Sequence, residues 1–151
     1  MTDQDDGHGD VMRRLLAIEE IKGLKARYFR HLDHKDWDRF GQVFAEDAVM
    51  EVPEADAVEH GRNAIVRFVS KALNGTQTVH HGHMPEIELT GPDTARGTWA
   101  MFDYVEWRRP GSGERAGLTG YGHYVEEYVR QDGTWRIARC RLERLRVDPL
   151  S

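Results

Sequence analysis

Apolar side chains recur at helical spacing near the start of the chain, between Val11 and Asp33. At about 100° per residue they form one broad arc, which predicts a long amphipathic helix ending near Asp33. The arc consists of Leu15, Ile18, Ile21, Lys25, Tyr28, Phe29 and Leu32. We expect the ammonium group of Lys25 to reach solvent along its apolar stem. The acidic, polar residues 1–10 are predicted to form a disordered tail before a single domain at residues 11–151.

The next segments predict two shorter helices around a short strand. Asp36 is placed to cap a second helix, and residues 48–52 are typical of a strand. The buried face of the second helix is expected to contain Trp37, Phe40, Val43 and Phe44. Residues 54–61 are predicted as a loop. Residues 62–75 have the helical period and end in Asn-Gly, a common helix stop.

After residue 75 the spacing of apolar positions changes to two, which indicates strands. Four long strands are predicted, at residues 76–89, 94–108, 118–130 and 135–147. The intervening segments are rich in Gly, Pro and Asp, as hairpin turns are. Helices followed by antiparallel strands predict an α+β fold, in which three N-terminal helices pack on a curved sheet and enclose a pocket.

Composition narrows the classes of function. The 151 residues suit one domain, and the net charge of −5 does not favour nucleic acid or anionic lipid as a partner. The single cysteine, Cys140, cannot form an internal disulfide, which suits a reducing compartment. No signal peptide or membrane-spanning stretch is evident. We therefore expect a cytoplasmic protein with no membrane partner.

Three histidines in the stretch “HHGH”, His80, His81 and His83, raise the question of a metal site. Strand alternation places His81 and His83 on one face and His80 on the other, whereas zinc needs three or four converging ligands. The “HLD” at residues 31–33 lies on a helix, where positions i and i+2 diverge by roughly 200°. The pattern therefore predicts no metal site.

Two carboxylates interrupt otherwise apolar faces. Asp33 falls at the C-terminal end of the first helix, where the helix dipole disfavours negative charge. Asp103 shares a strand face with Trp99 and Met101. Solvent exposure would explain either residue in isolation, whereas burial would require a partner, for which the arginines of the last strand are candidates.

Four segments of the chain together resemble the SnoaL-like branch of the NTF2-like superfamily, over about residues 16–147. They are “IEEIKGLKARYFRHLDHKDWDRFGQVFAEDAVME”, “VHHGHMPEIEL”, “TARGTWAMFDYV” and “YVEEYVRQDGTWRI”. Bile acid 7α-dehydratases and scytalone dehydratases are the nearest members by these motifs. The resemblance implies the cone-shaped, cystatin-like fold of the superfamily.

Matched one position at a time, the resemblance implies that Tyr28, Asp33 and His80 are catalytic. It places Asp103 and Arg144 in the pocket, where Arg141 and Arg146 compete with Arg144 if the strand contains a bulge. The remaining expected substrate-binding residues are His83, Trp99 and Tyr124.

The function implied by the resemblance is a cofactor-independent lyase. It would dehydrate a hydrophobic polycyclic or aromatic hydroxy-ketone, steroid-like or polyketide-like, with a His80–Asp33 dyad as base. Tyr28 would donate a hydrogen bond to the carbonyl oxygen as enolate charge forms. Two alternatives stay open: a ketosteroid isomerase or polyketide cyclase, and a non-catalytic ligand-binding or scaffold domain. The resemblance also implies a homodimer or homotrimer.

Overall fold

The helices lie in the first half of the chain and the four long strands in the second, as the change in the spacing of apolar residues predicted. The structure, a computed structural model, describes residues 3–150. Its helices are α1 (Asp3–Asp33), α2 (Trp37–Gln42) and α3 (Arg62–Leu73). Its strands are β1 (Phe44–Val52), β2 (Ala57–His60), β3 (Gln77–Leu89), β4 (Thr94–Arg108), β5 (Arg115–Gln131) and β6 (Thr134–Pro149). A 3-10 turn, Pro53–Ala55, lies between β1 and β2.

The strands form one sheet in the order β2-β1-β6-β5-β4-β3. All neighbouring strands are antiparallel except β1 and β6, which are parallel. The period of two sets the buried face: on β4 the odd-numbered positions 95–105 are buried and the even-numbered ones are more exposed. That buried face contacts a core cluster that includes Ile21, Leu24, Phe40 and Phe44. The predicted α+β architecture, with three helices on an antiparallel-rich sheet, is confirmed.

The structure differs from the sequence prediction in two short segments. Residues 3–10 are helical as the first part of α1, whereas their composition predicted a disordered tail. Met1 and Thr2 lie outside the described residues. The predicted loop at residues 54–61 contains β2, which pairs with β1 from Val49–His60 to Val52–Ala57. Four residues are too few for a period of two to be recognised.

Lys25 is fully buried, so the prediction that its ammonium group reaches solvent is wrong. The Lys25 Nζ atom forms an ion pair with the carboxylate of Glu126 on β5, which is equally buried. It also lies over two rings, 3.6 Å from the centroid of Tyr28 and 3.7 Å from that of Tyr124. The partner is distant in sequence, and helical spacing alone cannot reveal it.

The buried Glu126 carboxylate organises further side chains. Its Oε2 atom accepts a hydrogen bond from the Tyr128 hydroxyl at 2.6 Å, and that hydroxyl accepts one from Trp99 Nε1 at 2.9 Å. The Cys140 thiol lies 3.5 Å from Oε1 of Glu126. Burial, and next the charge of Glu126, raise the pKa of the Cys140 thiol, which keeps it protonated. These contacts join α1 to β4, β5 and β6.

We predict that Lys25→Met destabilises the protein by about 3–5 kcal/mol, because it leaves the Glu126 carboxylate buried without a countercharge. The double variant Lys25→Met/Glu126→Gln should recover most of this loss, since the Gln amide oxygen can still accept from Tyr128. Urea unfolding followed by circular dichroism measures both effects. Lys22→Met, which removes an exposed ion pair to Glu19, is the control. Equal stability of the Lys25 and Lys22 variants would contradict the prediction.

Candidate active site

Asp33 and His80, which lie 47 positions apart in sequence, meet where α1 ends against β3. The Asp33 Oδ1 atom is 2.7 Å from His80 Nδ1, and Asp33 Oδ2 accepts the His80 backbone N–H at 2.9 Å. Because a carboxylate can only accept, Nδ1 carries the hydrogen and Nε2 is left with its lone pair. His80 is 7% exposed. The structure thus brings together the two residues that the sequence paired.

Strand register places a second carboxylate beside the imidazole. His80 and Asp103 are direct partners across β3 and β4. The His80 N–H is bound by Asp33, which marks His80–Asp103 as a non-hydrogen-bonded pair, the kind with the closer side chains. His80 Nε2 and Asp103 Oδ2 are 3.9 Å apart. Carboxylates therefore flank both ring nitrogens, one in direct contact and one just beyond hydrogen-bond distance.

Two residues that the sequence analysis missed support Asp33. The Thr78 hydroxyl donates to Asp33 Oδ1 at 3.0 Å and accepts from Lys35 Nζ at 2.6 Å. Partial burial raises the pKa of Asp33, but hydrogen bonds from His80 and Thr78 outweigh it and hold that pKa below its ordinary value. Thr78 shares the strand face of His80, a period-two signal that was available. Lys35 lies in the turn after α1 and has a positive φ of 58°. Nothing in the sequence pattern indicated that Lys35 belongs to the site.

The lowered pKa of Asp33 predicts a pH dependence of stability. Its contribution to the free energy of unfolding should be present above its ordinary pKa of about 3.9 and lost as pH falls through the lower folded-state value. Urea midpoints of wild type and Asp33→Asn, measured between pH 2 and pH 7, should therefore converge toward the acid end. Asp38→Asn, at an exposed position of α2, is the control. A constant difference between wild type and Asp33→Asn would contradict this linkage.

Asp103 is buried and held by Arg144 of β6. The guanidinium donates through Nη1 to Oδ1 at 2.8 Å and through Nη2 to Oδ2 at 2.6 Å, a bidentate pair. Its Nε donates to Glu54 in the 3-10 turn. Burial lowers the pKa of Arg144, but the two carboxylates raise it above its ordinary value. The sequence did not single out Glu54, because it lies in a segment where apolar residues do not recur at a regular spacing.

The structure distinguishes the three arginines that competed for this position. Arg141 forms ion pairs with Glu51 and Glu143, and Arg146 pairs with Asp148. The β5–β6 register shifts between Tyr121 and Gly122, in the region where the bulge was anticipated. Of the three, Arg144 is the one in contact with Asp103.

Gly120 makes room for the Asp103–Arg144 pair from the neighbouring strand β5. A Cβ atom at this position would lie 1.7 Å from Arg144 Nη1 and 2.2 Å from Asp103 Oδ1. No side chain fits there unless the pair separates. Gly120 is thus part of the site although it has no functional group.

We predict that Gly120→Ala destabilises the protein by about 1–3 kcal/mol, because the new methyl group forces the bidentate pair apart. Chemical denaturation measures the loss. The control is Gly23→Ala on α1, whose Cβ would meet only the end of the Arg27 side chain at 3.4 Å. That variant should gain up to about 1 kcal/mol from helix propensity. A Gly120→Ala protein as stable as wild type would refute the steric argument.

The aromatic candidates lie in the core between α1 and the sheet. Tyr28 is 4% exposed and its ring contacts those of Phe29, Phe40, Phe44 and Tyr124 at centroid distances of 5.2–6.0 Å. Burial raises the pKa of Tyr28 and of Tyr124, so both hydroxyls remain donors. Tyr124 is the partner of Trp99 across β4 and β5, on the face of β4 that also bears Asp103. The Trp99 indole N–H donates a hydrogen bond to the Tyr128 hydroxyl.

His83 does not share the site with His80. Its ring packs at right angles to that of His81, with centroids 5.6 Å apart, and both residues are exposed on the outer face of β3. This placement differs from the substrate-binding position expected for His83. The physical reason is strand alternation, which separates His83 from His80 as it separates His81.

The described residues also bear on metal binding and on membrane insertion. Among the described residues, no three or more His, Cys, Asp or Glu side chains are grouped closely enough to hold a metal ion. In residues 3–150, every helix falls short of the length and apolar character that crossing a bilayer requires.

The helices packed on a six-stranded sheet have the architecture of the NTF2-like superfamily, with its cystatin-like fold. Residues 13–141 match the model of the SnoaL-like domain. The chain belongs to the SnoaL-like family, as its sequence motifs suggested.

Three known proteins illustrate the similarity. The Gibberella zeae protein named “Probable cyclase FGR4” is 26% identical over 139 residues, covering 85% of this chain and 91% of that protein. A type 2 hexachlorocyclohexane dehydrochlorinase has the same fold, with a TM-score of 0.81 and 18% identity over 93% of each chain. A scytalone dehydratase-like protein of Novosphingobium aromaticivorans superposes with a TM-score of 0.79 and 21% identity, over 91% of this chain and 90% of that one. At these identities the two structures show the fold alone.

Proposed function

We propose that the protein is a cofactor-independent lyase that dehydrates a hydrophobic polycyclic or aromatic hydroxy-ketone. The observation that carries the proposal is the 2.7 Å contact between Asp33 Oδ1 and His80 Nδ1, which leaves Nε2 free to accept a proton. An imidazole titrates near neutral pH and is suited to take a proton next to a carbonyl. Asp33 fixes the tautomer and stabilises the imidazolium.

The proposed reaction is an elimination with balanced proton transfers. Nε2 of His80 removes the proton on the carbon next to the carbonyl, and the electron pair of that C–H bond forms an enolate. The enolate then expels the β-hydroxyl group, a C=C bond forms, and the imidazolium returns its proton to the departing oxygen. The products are an enone and water. The Asp103 carboxylate, which is paired with Arg144, lies 3.9 Å from Nε2.

The tyrosines supply the other half of the proposed chemistry. Enolate charge needs hydrogen-bond donors, and Tyr28, with Tyr124 beside it, is assigned to the carbonyl oxygen. The raised pKa of both hydroxyls, caused first by burial, keeps them protonated. The rings of Tyr28, Phe29 and Tyr124 pack against one another, which suits a flat apolar substrate. The Asp103–Arg144 pair is assigned to polar substituents.

The test compares wild type with His80→Ala on a panel of 3-oxo steroids and aromatic β-hydroxy ketones. Conjugated product is followed by ultraviolet absorbance and loss of water by mass spectrometry. We expect His80→Ala to lower kcat/KM by about 10²–10⁴-fold. His81→Ala, on the opposite face of the same strand, is the matched control and should retain wild-type activity. Equal rates for His80→Ala and His81→Ala would refute the assignment of the base.

A second candidate is a cyclase or ketosteroid isomerase with the same base, favoured by the cyclase named among the relatives. The panel distinguishes them, because isomerisation yields a conjugated product of unchanged mass. A scaffold or ligand-binding domain would bind panel members without converting them. A homodimer or homotrimer stays a prediction, as does a cytoplasmic location.

A further inference from the structure

A cleft of about 420 Å³ lies between the C-terminal half of α1, the end of α2 and the start of β6. We call it the arginine cleft, after the basic residues in its wall. These are Arg27, Arg30, His31, Arg39 and Arg136. None of its lining residues belongs to the Asp33–His80 cluster, and its volume is within the range of small-molecule sites.

The lining of the arginine cleft contains no Asp or Glu, although the whole chain carries a net charge of −5. Within the described part of the chain, Arg27 and Arg30 have no ion-pair partner. Arg39 forms an ion pair with Asp36, in which Nη1 lies 3.3 Å from Oδ2. Arg136 donates to the backbone carbonyl of Gln42. The positive charge of the cleft is therefore mostly unneutralised.

This lack of partners contrasts with most arginines of the sheet. Across β4, β5 and β6, ion pairs with carboxylates are made by Arg96, Arg115, Arg130, Arg139, Arg141, Arg144 and Arg146. In the cleft, by contrast, several arginines line one concave region that contains no acidic residue, which is the condition for attracting an external anion.

A buried polar atom beside the cleft lacks a hydrogen-bond partner. Trp135, which lines the arginine cleft, is 3% exposed, and its indole N–H has no hydrogen-bond partner. Among the described residues it is the one buried side-chain polar atom left in this state. An unsatisfied buried donor costs free energy, so an aromatic ring without the N–H should be tolerated at this position.

We propose that the arginine cleft binds a small molecule bearing a phosphate group, as a phosphomonoester or a diphosphate. Guanidinium groups bind phosphate oxygens in pairs, and Arg27 and Arg30 are free to do so. The cleft is larger than a phosphate ion, and Leu24 and Val43 provide apolar wall for the rest of the molecule. The ring of Trp135 belongs to the same wall. This binding site is independent of the proposed dehydratase activity.

The test titrates the full chain with pyrophosphate, inorganic phosphate and acetate in an isothermal calorimeter at pH 7 and low ionic strength. We expect pyrophosphate to bind more tightly than phosphate and acetate not to bind. Raising sodium chloride to about 0.15 M, where the Debye length is about 8 Å, should weaken binding without abolishing it. The double variant Arg27→Gln/Arg30→Gln should lose at least about tenfold in affinity, because both free guanidinium groups are removed.

Two further variants keep the result interpretable. Arg96→Gln, on β4 and away from the cleft, removes one positive charge together with an exposed ion pair to Glu88, and should bind pyrophosphate as wild type does. Trp135→Phe removes the indole N–H while keeping an aromatic ring in the wall, and should bind pyrophosphate about as wild type does, because that N–H is not accessible from the cleft. Absence of binding heat for pyrophosphate, or equal weakening by Arg96→Gln and the double variant, would overturn the proposal. Tighter binding of an acidic peptide than of pyrophosphate would overturn it in favour of a protein partner.

Discussion

Three hydrogen bonds to one carboxylate, that of Asp33, join the last residue of α1 to β3 at the edge of the sheet. The helix dipole disfavours an acid at this position, and the donors from Thr78 and His80 offset that cost. The bond to the His80 backbone also occupies an N–H that an edge strand would otherwise leave unpaired. The interaction that positions the long helix on the sheet is therefore the same one that orients the imidazole.

The core supports this site through a second buried charge pair. Lys25 is paired with Glu126 and lies over the rings of Tyr28 and Tyr124, which are themselves in edge contact. Cation–π contacts strengthen when water is excluded, as it is here. The two tyrosines are thus held in place by Lys25. Rigid support of this kind is what a site needs for its donors to stay in place.

Periodicity was sufficient to predict α1, α3 and the four long strands, because each buries one continuous face. Periodicity did not predict β2, which has only four residues. It also did not predict that Lys25 is buried, because its partner Glu126 is 101 positions away. In the site, Asp33 and Asp103 were recognisable as acids on apolar faces, and family motifs singled out His80 and Arg144. The residues that were missed do not interrupt a pattern: Thr78 suits any strand, and Lys35 and Glu54 lie in turns. Polar partners of this kind become visible only when the chain is folded.

For the proposed function, the charges around His80 favour an uncharged substrate. Asp33, Asp103 and Glu54 lie near Lys35 and Arg144, so these charged side chains sum to one net negative charge. A negatively charged cluster repels an anionic substrate, whereas an uncharged ketone meets no such repulsion.

The same negative charge would oppose an enolate formed on the side of the carboxylates. In the proposed elimination the oxygen that gains charge therefore needs hydrogen-bond donors away from the carboxylates, which is the part assigned to Tyr28 of α1 and Tyr124 of β5. Burial keeps both phenols protonated, so they can donate where a carboxylate can only accept, and this difference is the physical basis for dividing the proposed elimination between the two kinds of group.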